Sequence, residues 1–253
     1  MDELIRYCDQ YAQGFSRKLV GANEHDIARV EEKVGRPLAP EHRAFLSRMG
    51  RTPTDNLGEF LKSVEFGVEA IVRFYSEPPV PVPPDATYVW TLDFDNEMFL
   101  RLQEEAGAHP LIAYSWSVDS ETGRFTNDAR QEHMIARSLF QYLYREAVLR
   151  IRVATMGHHA EFRARSPGEG LGEGDAARNA RRSRFRTVSG NLGCHPVPYV
   201  EGKQVFFERP GAVLMLFTEE VASDSIHVHA DDSREFARLC AIVDDHLDVE
   251  RWS

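Results

Sequence analysis

The residues best suited to chemistry stand near the end of the chain, in the run His227-Val228-His229-Ala230-Asp231-Asp232. Alternate residues of a β-strand face the same side, so both imidazoles could reach one metal ion, with Asp231 just beyond them. A centre built from His227, His229 and Asp231 would activate a bound water, the chemistry of a metal-dependent hydrolase. The same residues also fit the polar face of an edge strand followed by a helix that Asp231 or Asp232 caps. Other candidates are thinner. His158-His159 are adjacent, and adjacent residues do not share a strand face, so they read as a surface pair. Cys194-His195 has no second paired ligand, and Cys8, Cys194 and Cys240 are too scattered for a disulfide framework or a Cys-x-x-Cys knuckle. Gly168, Gly170, Gly172 and Gly174 lack the preceding strand and the Lys-Ser/Thr of a phosphate loop. No nucleophile elbow or paired His-Glu zinc motif is present. The favoured reading is therefore a protein that is not an enzyme and needs no cofactor.

The elements that must position these residues follow from hydrophobic spacing. Leu4, Ile5, Cys8, Tyr11 and Phe15 line one helix face. A second helix follows Asn23, with Asn23 or Asp26 as cap, Ile27, Val30 and Val34 on one side, and Gly35 as a left-handed stop. Pro40 suits the first turn of a third helix that carries Phe45, Leu46 and Met49 and ends before Gly50. Val68 to Tyr75 is amphipathic, and the proline-rich stretch from Glu77 to Asp85 interrupts regular structure. Tyr88 to Leu92, Met98 to Leu102 and Leu111 to Trp116 then read as an antiparallel meander. A long helix is predicted from near Asp128 through Ile135, Leu139, Leu143 and Ala147. From Arg163 to Gly190 large apolar residues nearly vanish, and Arg178, Arg181, Arg182, Arg184 and Arg186 form a basic run that reads as a solvated, flexible loop. Short strands at 197–200, 205–207, 213–217 and 226–229 and a closing helix through Phe236, Leu239, Cys240, Val243 and Leu247 complete the chain.

The order of helices, meander and packing helix predicts an α+β fold. The expected organisation is an α+β domain over residues 1–155, a flexible linker or long loop over 156–190, and a small C-terminal α+β segment over 191–253. No apolar run approaches the length of a membrane helix, and the start MDELIRYCDQ has the wrong charge pattern for an export signal, so a cytoplasmic protein without membrane contact is expected. The net charge of −10 disfavours direct binding of nucleic acid, which requires a basic surface, and suits a basic partner, although acidity also serves solubility alone.

The segment Ala22 to Gly50, ANEHDIARVEEKVGRPLAPEHRAFLSRMG, resembles the opening signature of the SUKH superfamily of bacterial immunity proteins and fungal cell-wall-synthesis regulators. The matching positions are Ile27, Glu31, Gly35, Leu38, Pro40, Phe45, Leu46 and Gly50, with Ala39 standing where the family usually has proline. Downstream, the meander and a helix with Ala136, Ser138, Leu139, Phe140 and Leu143 are similar to the family's ending. The resemblance covers residues 22–150 and implies a SUKH-like α+β fold. It also implies a protein-binding role, that of an immunity protein neutralising a toxin, often a nuclease, or of a scaffold or regulator. It carries over no catalytic residues. On that reading the contacts to a basic toxin surface would be acids near the meander, Asp93, Asp95 and Glu97, with Glu104 and Glu105, though Asp-rich turns also arise for backbone reasons. Trp90 and Trp116 could anchor an interface or pack in the core. The His227-x-His229-x-Asp231 order is also similar to the His-x-His-x-Asp-His loop of metallo-β-lactamase-like hydrolases, with Asp232 in the place of the last histidine.

Overall fold

The computed structural model describes residues 1–92, 96–118, 125–164, 175–218 and 224–252. The chain is an α+β protein that divides into two compact units, Met1–Ile151 and Arg152–Ser253.

The first unit begins with α1 (Asp2–Tyr11), α2 (Glu24–Val34) and α3 (Pro40–Met49). The start of α2 is a capping box, in which the Asn23 side chain accepts from the Asp26 amide at 2.9 Å while the Asp26 carboxylate accepts from the Asn23 amide. The helix stops at Gly35, whose φ of 77° is the left-handed conformation that glycine adopts without penalty. Pro40 occupies the first turn of α3, where its missing N–H costs nothing. Next come α4 (Thr54–Leu61), β1 (Ser63–Phe66) and α5 (Val68–Ser76). Gly67 has a φ of 84°, and a Cβ there would sit 2.4 Å from the Gly50 carbonyl oxygen, so glycine is required where the chain crosses the end of α3.

The sheet of this unit is an antiparallel meander of β1, β2 (Ala86–Leu92), β3 (Asn96–Arg101), β4 (Leu111–Val118) and β5 (Phe125–Ala136), in chain order. Tyr88 stacks on Phe74 of α5 at 3.8 Å, and Trp90 packs between Phe45 of α3 and Tyr142 of α6 (Leu139–Ala147). Trp90 is therefore a core residue and not an interface anchor. The helix predicted from Asp128 begins instead at Leu139, because residues 125–136 pair with β4 as the last strand of the meander. Ser138 marks the change by accepting from the Gln141 amide at 3.0 Å. The buried Glu41 carboxylate of α3 accepts from the Leu139 amide at 2.9 Å, placing a negative charge at the positive end of α6.

In the second unit, β6 (His158–Ala164), α7 (Asp175–Asn191), β7 (His195–Pro196), β8 (Gln204–Arg209), β9 (Ala212–Phe217), β10 (Ser225–Ala230), α8 (Ser233–His246) and β11 (Val249–Arg251) build a sheet ordered β11-β6-β10-β9-β8-β7. One face carries Ala160, Phe162, Leu214, Leu216, Ile226 and Val228 into a core closed by Phe185 of α7 and by Leu239, Cys240 and Val243 of α8. This corrects the linker expected over 156–190. Residues 158–164 are an interior strand, and 175–191 form a helix of good helix formers, Ala and Arg. It docks through the buried Phe185, with Val188 and the following Leu192 packed beside it, and through a buried ion pair, Arg181 Nη1 to Asp224 Oδ2 at 2.7 Å. The strand expected at 197–200 is instead the two-residue β7 at His195 and Pro196, after which the Val197 amide still donates to the Phe206 carbonyl at 2.9 Å before the chain turns.

Candidate metal centre

The acids proposed as partner contacts are scattered in environment. Asp93 and Asp95 lie outside the described residues, as does the side chain of Trp116. Glu97, expected to be exposed, is buried within β3, opposite Thr91 on one side and Tyr114 on the other. Glu104 is exposed, 3.6 Å from the His109 ring, and Glu105 pairs with Arg101 at 3.1 Å. They do not form one cluster with Glu97.

The histidines of the second unit are brought together. β10 is an interior strand between β6 and β9, not an edge strand, and its alternation sends Ile226, Val228 and Ala230 to the core while His227 and His229 share the other face. Antiparallel register sets His159 of β6 directly opposite His229, and Glu161 opposite His227. Directly opposed residues stand close enough for their rings to meet. The His159 and His229 rings stack with centroids 4.5 Å apart, and His159 Nε2 lies 3.3 Å from His227 Nδ1. One nitrogen from each of His159, His227 and His229 lies within 4.8 Å of the others.

Asp231 does not join them. It falls past the end of β10, its amide donates to the Gly211 carbonyl at 3.0 Å, and its carboxylate lies 3.6 Å from Arg152. Asp232 caps α8, accepting from the Glu235 amide at 2.9 Å. The third imidazole is thus His159, which the adjacency of His158 concealed. The two do face opposite ways: His158 stacks on Phe236 at 5.5 Å, whereas His159 joins the cluster. The signal was present in His158-His159-Ala160-Glu161-Phe162-Arg163-Ala164, where small or aromatic residues alternate with polar ones as in a half-buried strand.

Burial pushes the His229 ring down to about 3, with the neighbouring His159 and His227 rings acting in the same direction. Burial also lowers His227, and Glu161 opposes that shift. Neutral imidazoles keep the lone pairs that a metal requires. His229 is 7% exposed, and its Nε2 has no hydrogen-bond partner among the described residues. Leaving such an atom unpaired costs about 1–3 kcal/mol. His227 is held from its other side, its Nε2 lying 3.3 Å from Ser225 Oγ, and Phe217 packs edge-on against its ring at 5.0 Å.

Among the described residues no helix is long and apolar enough to cross a membrane. No protein-family model, curated protein or solved structure matches the chain.

Proposed function

We propose that this chain is a non-catalytic protein-binding module of the cytoplasm, SUKH-like in its first unit, that acts as an immunity protein against a toxin with a basic surface. The observation that carries the reading is the segment 22–50. Its signature residues include the Gly35 stop of α2, Pro40 at the start of α3 and the buried Ile27, Phe45 and Leu46, ahead of an antiparallel meander and a packing helix. The charge of −10 supports a basic partner, because opposite fields speed encounter and an acidic surface can occupy a groove made for nucleic acid. Of the acids expected to make contact, Glu104 and Glu105 are exposed, and contact would run through them.

The test is co-production with toxin domains of the nuclease type, chosen first from the genes that flank this one. Growth rescue, a stable complex and a slower, less salt-sensitive association for the E104K/E105K double variant are the expected results. A folded protein that neither rescues nor binds any of those domains overturns the reading. Capture of non-toxin partners alone would favour a scaffold or regulator instead.

A further inference from the structure

We propose that His159, His227 and His229 form a binding site for one divalent transition-metal ion of the zinc class, with a fourth position open to water or another small ligand. The proposal stands on the second unit alone and holds whatever partner the first unit takes.

Three observations carry it. First, the spacing fits. Zinc binds imidazole nitrogen at about 2.0–2.1 Å, so two nitrogens on a tetrahedral ion lie roughly 3.3–3.4 Å apart. The pair His159 Nε2 and His227 Nδ1 is already separated by 3.3 Å. The widest separation in the trio, up to 4.8 Å, must close by roughly 1.4 Å to reach that tetrahedral edge, a change within the range of ring rotation. Second, a buried donor waits for a partner: His229 Nε2 is enclosed and unpaired among the described residues, and it belongs to the same face. Third, the surroundings supply the outer partner that metal-bound histidines use. With His227 coordinating through Nδ1, its Nε2–H points to Ser225 Oγ at 3.3 Å, which fixes the tautomer.

The donor set decides the class of ion. Three imidazoles without a carboxylate in the cluster favour zinc and its first-row neighbours over calcium or magnesium, which take oxygen ligands. Three protein ligands are also one short of a closed structural zinc site, which normally has four.

The probe is zinc chloride, titrated by calorimetry into the full chain after chelator treatment, with cobalt(II) absorption reporting coordination number. One ion per chain, a four-coordinate cobalt spectrum and a zinc-dependent rise in melting temperature are expected. His159→Gln should weaken binding by more than the roughly 10–100-fold that loss of an outer-shell partner costs, and Ser225→Ala by about 10-fold. His158→Gln, which alters the adjacent ring on the opposite face, should leave affinity unchanged. His159 is the exposed member of the trio, so H159Q should retain the fold, which circular dichroism checks. Absence of stoichiometric binding overturns the proposal. Equal losses in H158Q and H159Q, or an unaltered affinity in folded H159Q, do so as well.

Discussion

His42 offers a quantitative test of how the first unit is held together. It lies on α3, fully buried, and neither ring nitrogen has a hydrogen-bond partner among the described residues. Burial pushes its imidazole from the ordinary 6.5 down to about 3. The folded form therefore binds a proton far less readily than the unfolded chain, so acid favours unfolding. The contribution is fully present above pH 6.5 and is lost progressively as pH falls from there towards 3. At about 1.36 kcal/mol per pH unit, the full span amounts to about 5 kcal/mol, and the loss at pH 5 to about 2 kcal/mol. The perturbation is His42→Leu, of similar volume and without a titrating group. Urea unfolding of both proteins at pH 7.5 and pH 5.0, followed by tryptophan fluorescence, isolates the effect. Packing changes cancel when each protein's two pH values are subtracted. The wild type should lose about 2 kcal/mol more than the variant between those conditions. Equal losses would refute the reasoning, since they would mean that the folded protein accommodates the imidazolium.

Two further expectations rest on the helix corner. Asn23→Ala removes the side-chain acceptor of the Asp26 amide and should cost about 1 kcal/mol in urea unfolding at neutral pH. Gly67→Ala should lower the melting temperature by more than the few degrees that about 1 kcal/mol represents, because its Cβ would lie 2.4 Å from the Gly50 oxygen at a φ of 84°.

Most of the first unit was legible because local chemistry there agrees with the tertiary fold. Asn23, Gly35 and Pro40 each have one conformational use at a helix end, and each is used in that way. The failures have a common physical origin in pairing between distant segments. Residues 128–136 carry a mixed polar pattern that accommodates a helix, and only the ladder to β4 makes them a strand. Residues 175–191 looked unable to bury anything, yet Ala and Arg hold a helix that docks through Phe185 and Val188 and through the Arg181–Asp224 pair. α4 and β1 were not anticipated, both being short and α4 carrying Gly58, a poor helix former, in its interior. At the candidate site the His227-x-His229 alternation was readable from the sequence. The partner was not, because His159 is 68 residues away from His227 and only strand register selects it over Asp231.

That register is set by the opposite face of the sheet. Sliding β6 by one residue against β10 would turn Ala160 and Phe162 out of the core and carry His159 away from His229, since successive strand residues face opposite sides. Burial of Phe162, Ile226 and Val228 strongly penalises the slip, whereas the histidines themselves supply no comparable force. β10 is paired on both sides across His227 and His229, whereas β6 pairs with β10 at His159 and with β11 only over Phe162–Ala164, so the β10 backbone is the more firmly held of the two. The apolar alternation thus sets which face the three imidazoles share and the register that places His159 against His229. An energetically unfavourable buried nitrogen at His229 can persist on such a scaffold, because the core on the other face, and not the histidine, determines where that residue stands.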